Sequence, residues 1–315
     1  MWKQYNLHIF LVFDNLIIMS KIYRYCSNDF TVRIAAMDGT AVVQDVQALQ
    51  KMFPIPVMGV GQAMIGSLLL ASQLKDKQQV GLLFRGNGSI KSIYAEANYE
   101  GHVRAYTPHP QFEPADYKDG FKFKDALGHG TLTVARHQPF QKQPFHGTVE
   151  LISGEIAENI SHYLHQSHQI RSIVAIGIYL DEYGKVVKAG GVIIEIMPGV
   201  DETIVDIIQS NAEKNKPSLS KILFEGGTVE DLVKPFMESV PFTELDHPIS
   251  AKYFCPCTRD RVSGALEILG VADLQDMIEK EEQPEIICQM CGKPYHFNTD
   301  EIKIIREQVH KNSLN

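Results

Sequence analysis

The chain has 315 residues, 44% of them hydrophobic and 22% charged, which suits about two domains with a real core and an ordinary soluble composition. Its net charge of −8 argues against a nucleic-acid partner, because phosphate binding needs a basic surface. Five cysteines, Cys26 alone and four in two tight pairs, do not make a secreted disulfide scaffold; in a reducing compartment that pattern reads as metal or redox chemistry.

Residues 7–19 are apolar but are interrupted by Asp14 and Asn15. The run is too short to span a bilayer, and no small-x-small cleavage site follows it. The expectation is a cytoplasmic protein with no membrane partner, in which residues 1–28 are an extension and Met19 is the natural start. Thr31–Ala36 and Thr40–Val46 flank Asp38-Gly39, a favoured tight-turn dipeptide, and are expected to form a hairpin. Pro54 and Pro56 are expected to interrupt the chain before a helix at 58–75. That helix is rich in small residues and apolar nearly all round, as a buried central helix should be.

Gly59-Val60-Gly61 has the look of a dinucleotide loop, but Met64 stands where the third glycine belongs and no strand precedes it; close packing of a core helix explains the glycines better. Alternating segments at 80–85, 89–95 and 102–107 predict an antiparallel meander, a proline-bearing loop covers 108–120, and strands follow near 131–136 and 146–153. Residues 154–167 predict an amphipathic helix. Its His162 and His165, with His168 beyond, are spaced by three, yet no carboxylate or cysteine completes a metal set, so a solvated polar face is the better reading. Ile170–Leu180 and Lys185–Met197 predict a long hairpin around Asp181–Gly184. Residues 29–199 therefore read as one α+β domain: antiparallel sheets packed around a buried helix.

From 200 to 250 the character changes. Three short helices are expected at 201–212, 218–225 (Ser218 as N-cap) and 229–239, the last with Thr228 and Asp231 at capping-box spacing. Helices this short need tertiary support. An ordinary helical linker would look like this, and so would a segment that stays folded only while its neighbours hold it. Residues 251–315 read as a second, small domain, with helices near 258–269, 271–282 and 299–310 and a short strand at 295–297. Six carboxylates between Asp273 and Glu285 face one Lys280, a poor nucleic-acid surface.

The four remaining cysteines dominate this domain. Cys255-Pro-Cys257 and Cys288-Gln-Met-Cys291 offer the four soft ligands of a tetrahedral Zn²⁺ site. Gly292 can take positive φ and fold its N–H toward the sulfurs, and Arg259 and Arg261 could favour thiolates by charge. A Cys₄ zinc site contributes about 10–16 kcal/mol of apparent folding free energy to such a domain. Thiolates are also the oxidisable form, so one event could remove ligands, metal and fold together. Structural zinc is the plainer alternative.

Phe254–Leu266 and Cys288–Asn298 resemble the two switch motifs of the 33 kDa chaperonin family, the redox-regulated heat-shock holdases of bacteria. Gly154-Glu-Ile-Ala-Glu158 and Gly190–Gly199 resemble its core motifs, in the family's order, and the likeness covers about residues 29–310. It implies an ATP-independent chaperone, not an enzyme, with one Zn²⁺ held by Cys255, Cys257, Cys288 and Cys291 in the reduced form. Oxidation to Cys255–Cys257 and Cys288–Cys291 disulfides would release zinc, unfold the switch domain and the 200–250 linker, and let the protein bind unfolding clients under oxidative or heat stress. The family is dimeric when oxidised, and a monomer is expected when reduced. No role carries over to Cys26. A thiol–disulfide oxidoreductase and a zinc-ribbon binding module are the competing classes. The first would want its Cys-x-x-Cys at a strand-to-helix turn of a βαβ unit, and the second is disfavoured by the acidic second domain.

Overall fold

A computed structural model describes residues 20–114, 123–141, 143–215, 218–245 and 247–313. The expected start at Met19 and residues 1–18 lie outside the described residues, as do residues 115–120 of the expected loop at 108–120.

Ser20–Ser27 is strand β1, so the expected extension does not reach 28: Ile22 and Tyr25 are buried, and the strand pairs antiparallel with β2 (Val32–Asp38). The expected hairpin across Asp38-Gly39 is instead a strand-to-helix junction. Asp38 Oδ1 accepts from the backbone N–H of Thr40 at 2.9 Å and from its hydroxyl, starting helix α1 (Thr40–Gln50). Val42, Val43 and Val46 are β-branched, but their spacing is helical and buries one face. Helix α2 (Pro54–Ala71) starts earlier than expected. Pro54 and Pro56 occupy its first turn, where no N–H partner is required, and so open the helix rather than interrupt the chain. The helix is long and apolar enough to cross a membrane, yet it is buried within the protein. A Cβ at Gly59 would lie 2.2 Å from the Phe123 ring, which confirms close packing over a phosphate loop.

The antiparallel meander β3 (Gln79–Gly86), β4 (Ser92–Asn98) and β5 (His102–Tyr106) forms, with Leu82 opposite Ala95 and Ala95 opposite Ala105, but β4 begins at Ser92 rather than 89, because the turn after β3 runs on until the Gly86 N–H meets the Lys91 carbonyl. Helix α3 (Phe123–Leu127), β6 (Gly130–His137) and β7 (Phe145–Glu150) extend it; α4 (Ile156–His168) then leads to the hairpin β8 (Arg171–Leu180) and β9 (Val186–Ile196).

Three helices follow: α5 (Glu202–Asn215), α6 (Leu219–Phe224) and α7 (Val229–Val233). Thr228 and Asp231 make the expected capping box. Ser218 holds the N-cap position of α6 without a side-chain bond. Helix α7 ends at Val233, short of the expected 239, because Pro235 has no N–H to continue it. Two strands in this region went unread: β10 (Phe242–Glu244) and β11 (Ile249–Tyr253). The chain closes with α8 (Arg259–Glu267), α9 (Gly270–Glu279), the hairpin β12 (Glu285–Ile287) and β13 (Pro294–His296), and α10 (Thr299–Ser313).

The large sheet runs β7-β6-β3-β4-β5-β11-β1-β2-β9-β8, with β10 also on β1. Strand β11 pairs antiparallel with β1 and parallel with β5, joining the two halves. Around β2 and β9 both faces are covered, which explains their nearly continuous apolar sequence. Ala35, Met37 and Ile193 face the cluster built on α2. Val32, Ile34, Val192 and Ile194 face a second cluster with Val205, Ile208, Leu223, Leu232 and Phe236 from α5 to α7 and the turns that follow. A third and much smaller cluster, around Leu266, Leu274, Tyr295, Phe297, Ile302 and Ile305, belongs to the C-terminal unit. The fold is α+β, as expected.

Candidate metal centre

Each thiol pair sits where backbone structure fixes it. Cys255 and Cys257 leave the end of β11, and Thr258 then caps α8 by accepting from the N–H of Arg261 at 3.3 Å. Cys288 and Cys291 occupy the turn between β12 and β13. The Cys288 N–H donates to the Lys293 carbonyl at 3.0 Å, and the Gly292 N–H to the Cys288 carbonyl at 2.8 Å. Gly292 has the expected positive φ, +70°, but its N–H closes the turn on a carbonyl rather than pointing at sulfur.

The turn brings all four sulfurs within 4.8 Å of one another, half-buried, so that they could hold a metal ion. Cys255 Sγ is 3.7 Å from Cys288 Sγ, and Cys257 Sγ is 3.4 Å from Cys291 Sγ. Four sulfurs at about 2.3 Å from a common centre would stand about 3.8 Å apart, so the thiol set fits a tetrahedral soft-metal site. Cys26 is buried in β1 outside this group. The histidines of α4 join no such group among the described residues, and His168 Nε2 lies 3.2 Å from the Tyr163 hydroxyl.

The surroundings treat the thiols unequally. Burial pushes the Cys255 and Cys291 thiols up. Burial also acts on Cys257, but the Tyr295 hydroxyl, 3.1 Å from both its Sγ and its carbonyl oxygen, and the neighbouring thiols outweigh it and bring that thiol down to about 7. The arginines expected to favour thiolates are occupied elsewhere. Arg259 forms a two-point pair with Glu301 at 2.8 and 2.9 Å and lies over the Phe297 ring; Arg261 reaches the Pro256 carbonyl at 3.2 Å. The cation that interacts with Cys255 is Arg104 on β5, itself paired with Glu96 at 2.7 Å. Tyr253, whose phenol burial holds well above its ordinary value, donates to the Met290 carbonyl inside the second thiol turn. Tyr295, Arg104 and Tyr253 carry no local sequence signature; only the nearness of Tyr253 and Tyr295 to the thiol pairs hinted at them.

Sheet, apolar helical cover and four-thiol cluster define an α+β protein with a centre able to hold a metal ion. A family model described as Hsp33 protein matches residues 20–298, and the chain belongs to that family. Similar relatives, each called a 33 kDa chaperonin, come from Thermus thermophilus (32% identity, 92% of this chain and 88% of the relative) and Bacillus subtilis (31%, 92% and 99%). The crystal structure of the 33 kDa chaperonin, a heat shock protein 33 homologue, from Thermotoga maritima matches with a TM-score of 0.82 at 30% identity, over 93% of this chain and 99% of that one.

Proposed function

We propose that this chain is a redox-gated, ATP-independent holdase whose four thiolates form a zinc-stapled latch. The observation that carries the reading is the position of the cover. Helices α5 to α7 and the turn after them lay Val205, Ile208, Leu223, Leu232 and Phe236 on the apolar face of β2 and β9, and only β10 and β11 separate them in the chain from the thiol centre. Zinc, when bound by Cys255, Cys257, Cys288 and Cys291, would keep the sulfurs as thiolates and hold together a unit whose own core is small.

In the proposed switch, two thiolates give up two electrons to one peroxide and form a disulfide. The O–O bond breaks, and with two protons the oxygens leave as two waters. Cys255 with Cys257 and Cys288 with Cys291 are the pairs, so two peroxides oxidise four thiols. Joined sulfurs are no longer anionic ligands, and the centre loses the charge that holds a dication. Without its staple the C-terminal unit loosens, the cover detaches, and the uncovered faces bind unfolding clients. The oxidised form is read as a homodimer, with no nucleic-acid or membrane partner, no catalytic turnover and a cytoplasmic setting. The functional units are then the sheet core, the cover from 200 to about 248 and the thiol unit from 255.

The test measures zinc and free thiols before and after peroxide, alongside suppression of aggregation of a heat-unfolding client. Four thiols and one zinc should be lost as protection appears. Equal protection by reduced and oxidised protein would overturn the gating.

A further inference from the structure

Gln44, Gln47 and Gln50 recur every third residue along α1. The first two grip the β8–β9 hairpin: the Gln44 amide donates to the Val186 carbonyl at 2.8 Å and the Gln47 amide to the Gly184 carbonyl at 2.7 Å. Gln50 turns the other way. Its Nε2 donates to the Ala105 carbonyl of β5 and to the Met290 carbonyl, each at 2.6 Å. Met290 lies between the two cysteines of the second pair, and the Tyr253 hydroxyl donates to the same carbonyl. Beside them a Cβ on Gly292 would come within 3.1 Å of the Leu49 carbonyl.

The apolar cluster of the C-terminal unit is separate from the core clusters, so this approach rests on directional polar contacts rather than on shared packing. Hydrogen bonds to one carbonyl are sensitive to its orientation, and the Cys288–Cys291 turn sets that orientation. We propose that Gln50 and Tyr253 are positioning residues that dock the second thiol turn on the core, using the Met290 carbonyl as the shared acceptor. The inference rests on the reading of the four thiols as a metal latch. It adds that α1 and β5 are the fixed surface on which the latch closes, and that undocking the turn makes the sulfurs easier to lose.

The experiment is hydrogen exchange of the reduced full-length chain, comparing wild type with Gln50→Leu, Gln50→Glu and Tyr253→Phe. Bound zinc and its release rate to a chelator are measured on the same samples. Each neutral variant should keep its zinc and the protection of β3 and β4 while exchange across 286–293 and zinc release quicken about tenfold, the effect of losing one or two ordinary hydrogen bonds. Gln50→Glu, which aims carboxylate oxygens at two carbonyls, should quicken both further. Unchanged exchange at 286–293 with zinc still bound overturns the positioning role and leaves the metal reading standing. A wild-type chain that protects this turn without zinc overturns the metal reading and leaves the docking standing. Should Gln50→Leu lose β3 and β4 as well, its role is general and the assignment for Gln50 fails; Tyr253→Phe, which keeps its ring, then decides the rest.

Discussion

Tyr295 acts on the thiol centre itself, and His102 on the strand that leads into it. The Tyr295 hydroxyl favours the thiolate of Cys257 by hydrogen bonding. In the metal-free reduced chain, kept well below the melting of its C-terminal unit, Tyr295→Phe should slow alkylation of Cys257 at pH 7 by about fivefold: a hydrogen bond to a charged group contributes about 1.5 kcal/mol, about one pKa unit, and a thiol that is half ionised near 7 falls to about a tenth thiolate; mass spectrometry of iodoacetamide-treated protein gives the rate. His102 sits opposite Lys252 where β5 meets β11, with its ring 4.8 Å from that of Phe254. Burial, then the Lys252 charge, hold its imidazole below the ordinary value, against the pull of Glu100. The unfolded chain therefore binds the extra proton more readily than the folded one. The contribution to stability is complete above about pH 6.5 and is lost as pH falls from there toward the lower folded value. Exchange at 249–254 should quicken as pH drops through that window, after correction for intrinsic exchange, and His102→Gln should flatten the dependence.

Among the elements, the helical cover is the one whose packing decides function under the proposed reading. Leu232 on α7 is fully buried against the sheet. Leu232→Ala should cost about 2–5 kcal/mol, as large-to-small core changes do. Because the cover is a short helical cascade, most of that loss should appear as local opening. Dye binding to apolar surface should begin at a lower temperature, while the protection of β3 and β4 is kept. Asn211 works the same seam, donating to the Phe236 and Glu238 carbonyls at 3.0 and 2.8 Å. The elements also separate what sequence can tell from what it cannot. The thiol pairs, the buried helix and the β8–β9 hairpin rest on local spacing and were legible. The same was true of the Thr228–Asp231 cap, a signal only three residues long. Helix α1 was misread because three β-branched valines followed a turn dipeptide, and the deciding contact, Asp38 capping Thr40, needs the junction's geometry. Strands β10 and β11 were missed because they are three and five residues long and take their register from β1, more than two hundred residues upstream. Gln50 and Arg104 reach the centre for the same reason: the fold, not the neighbouring residues, brings them there.

At the scale of the whole molecule, three apolar clusters of unequal size imply three different stabilities. Chelating the metal from the reduced chain should melt residues 255–313 at a lower temperature and leave the transition of the sheet core nearly unmoved, so calorimetry should resolve two events where the metal-loaded chain shows them closer together. The joining strand β11 has a further consequence, for the order of folding. Ser20 pairs with Ala251, and Tyr253 with Val103. During synthesis β1 can pair with β2 early, β3, β4 and β5 can form their meander, and α2 can pack against both, but the two halves cannot be joined edge to edge in one sheet until residue 253 has left the ribosome. Closing contacts of such sequence separation is slow. The nascent chain must therefore wait with the inner edges of β1 and β5 unpaired, and what ends the wait is the short strand that leads directly into the first thiol pair.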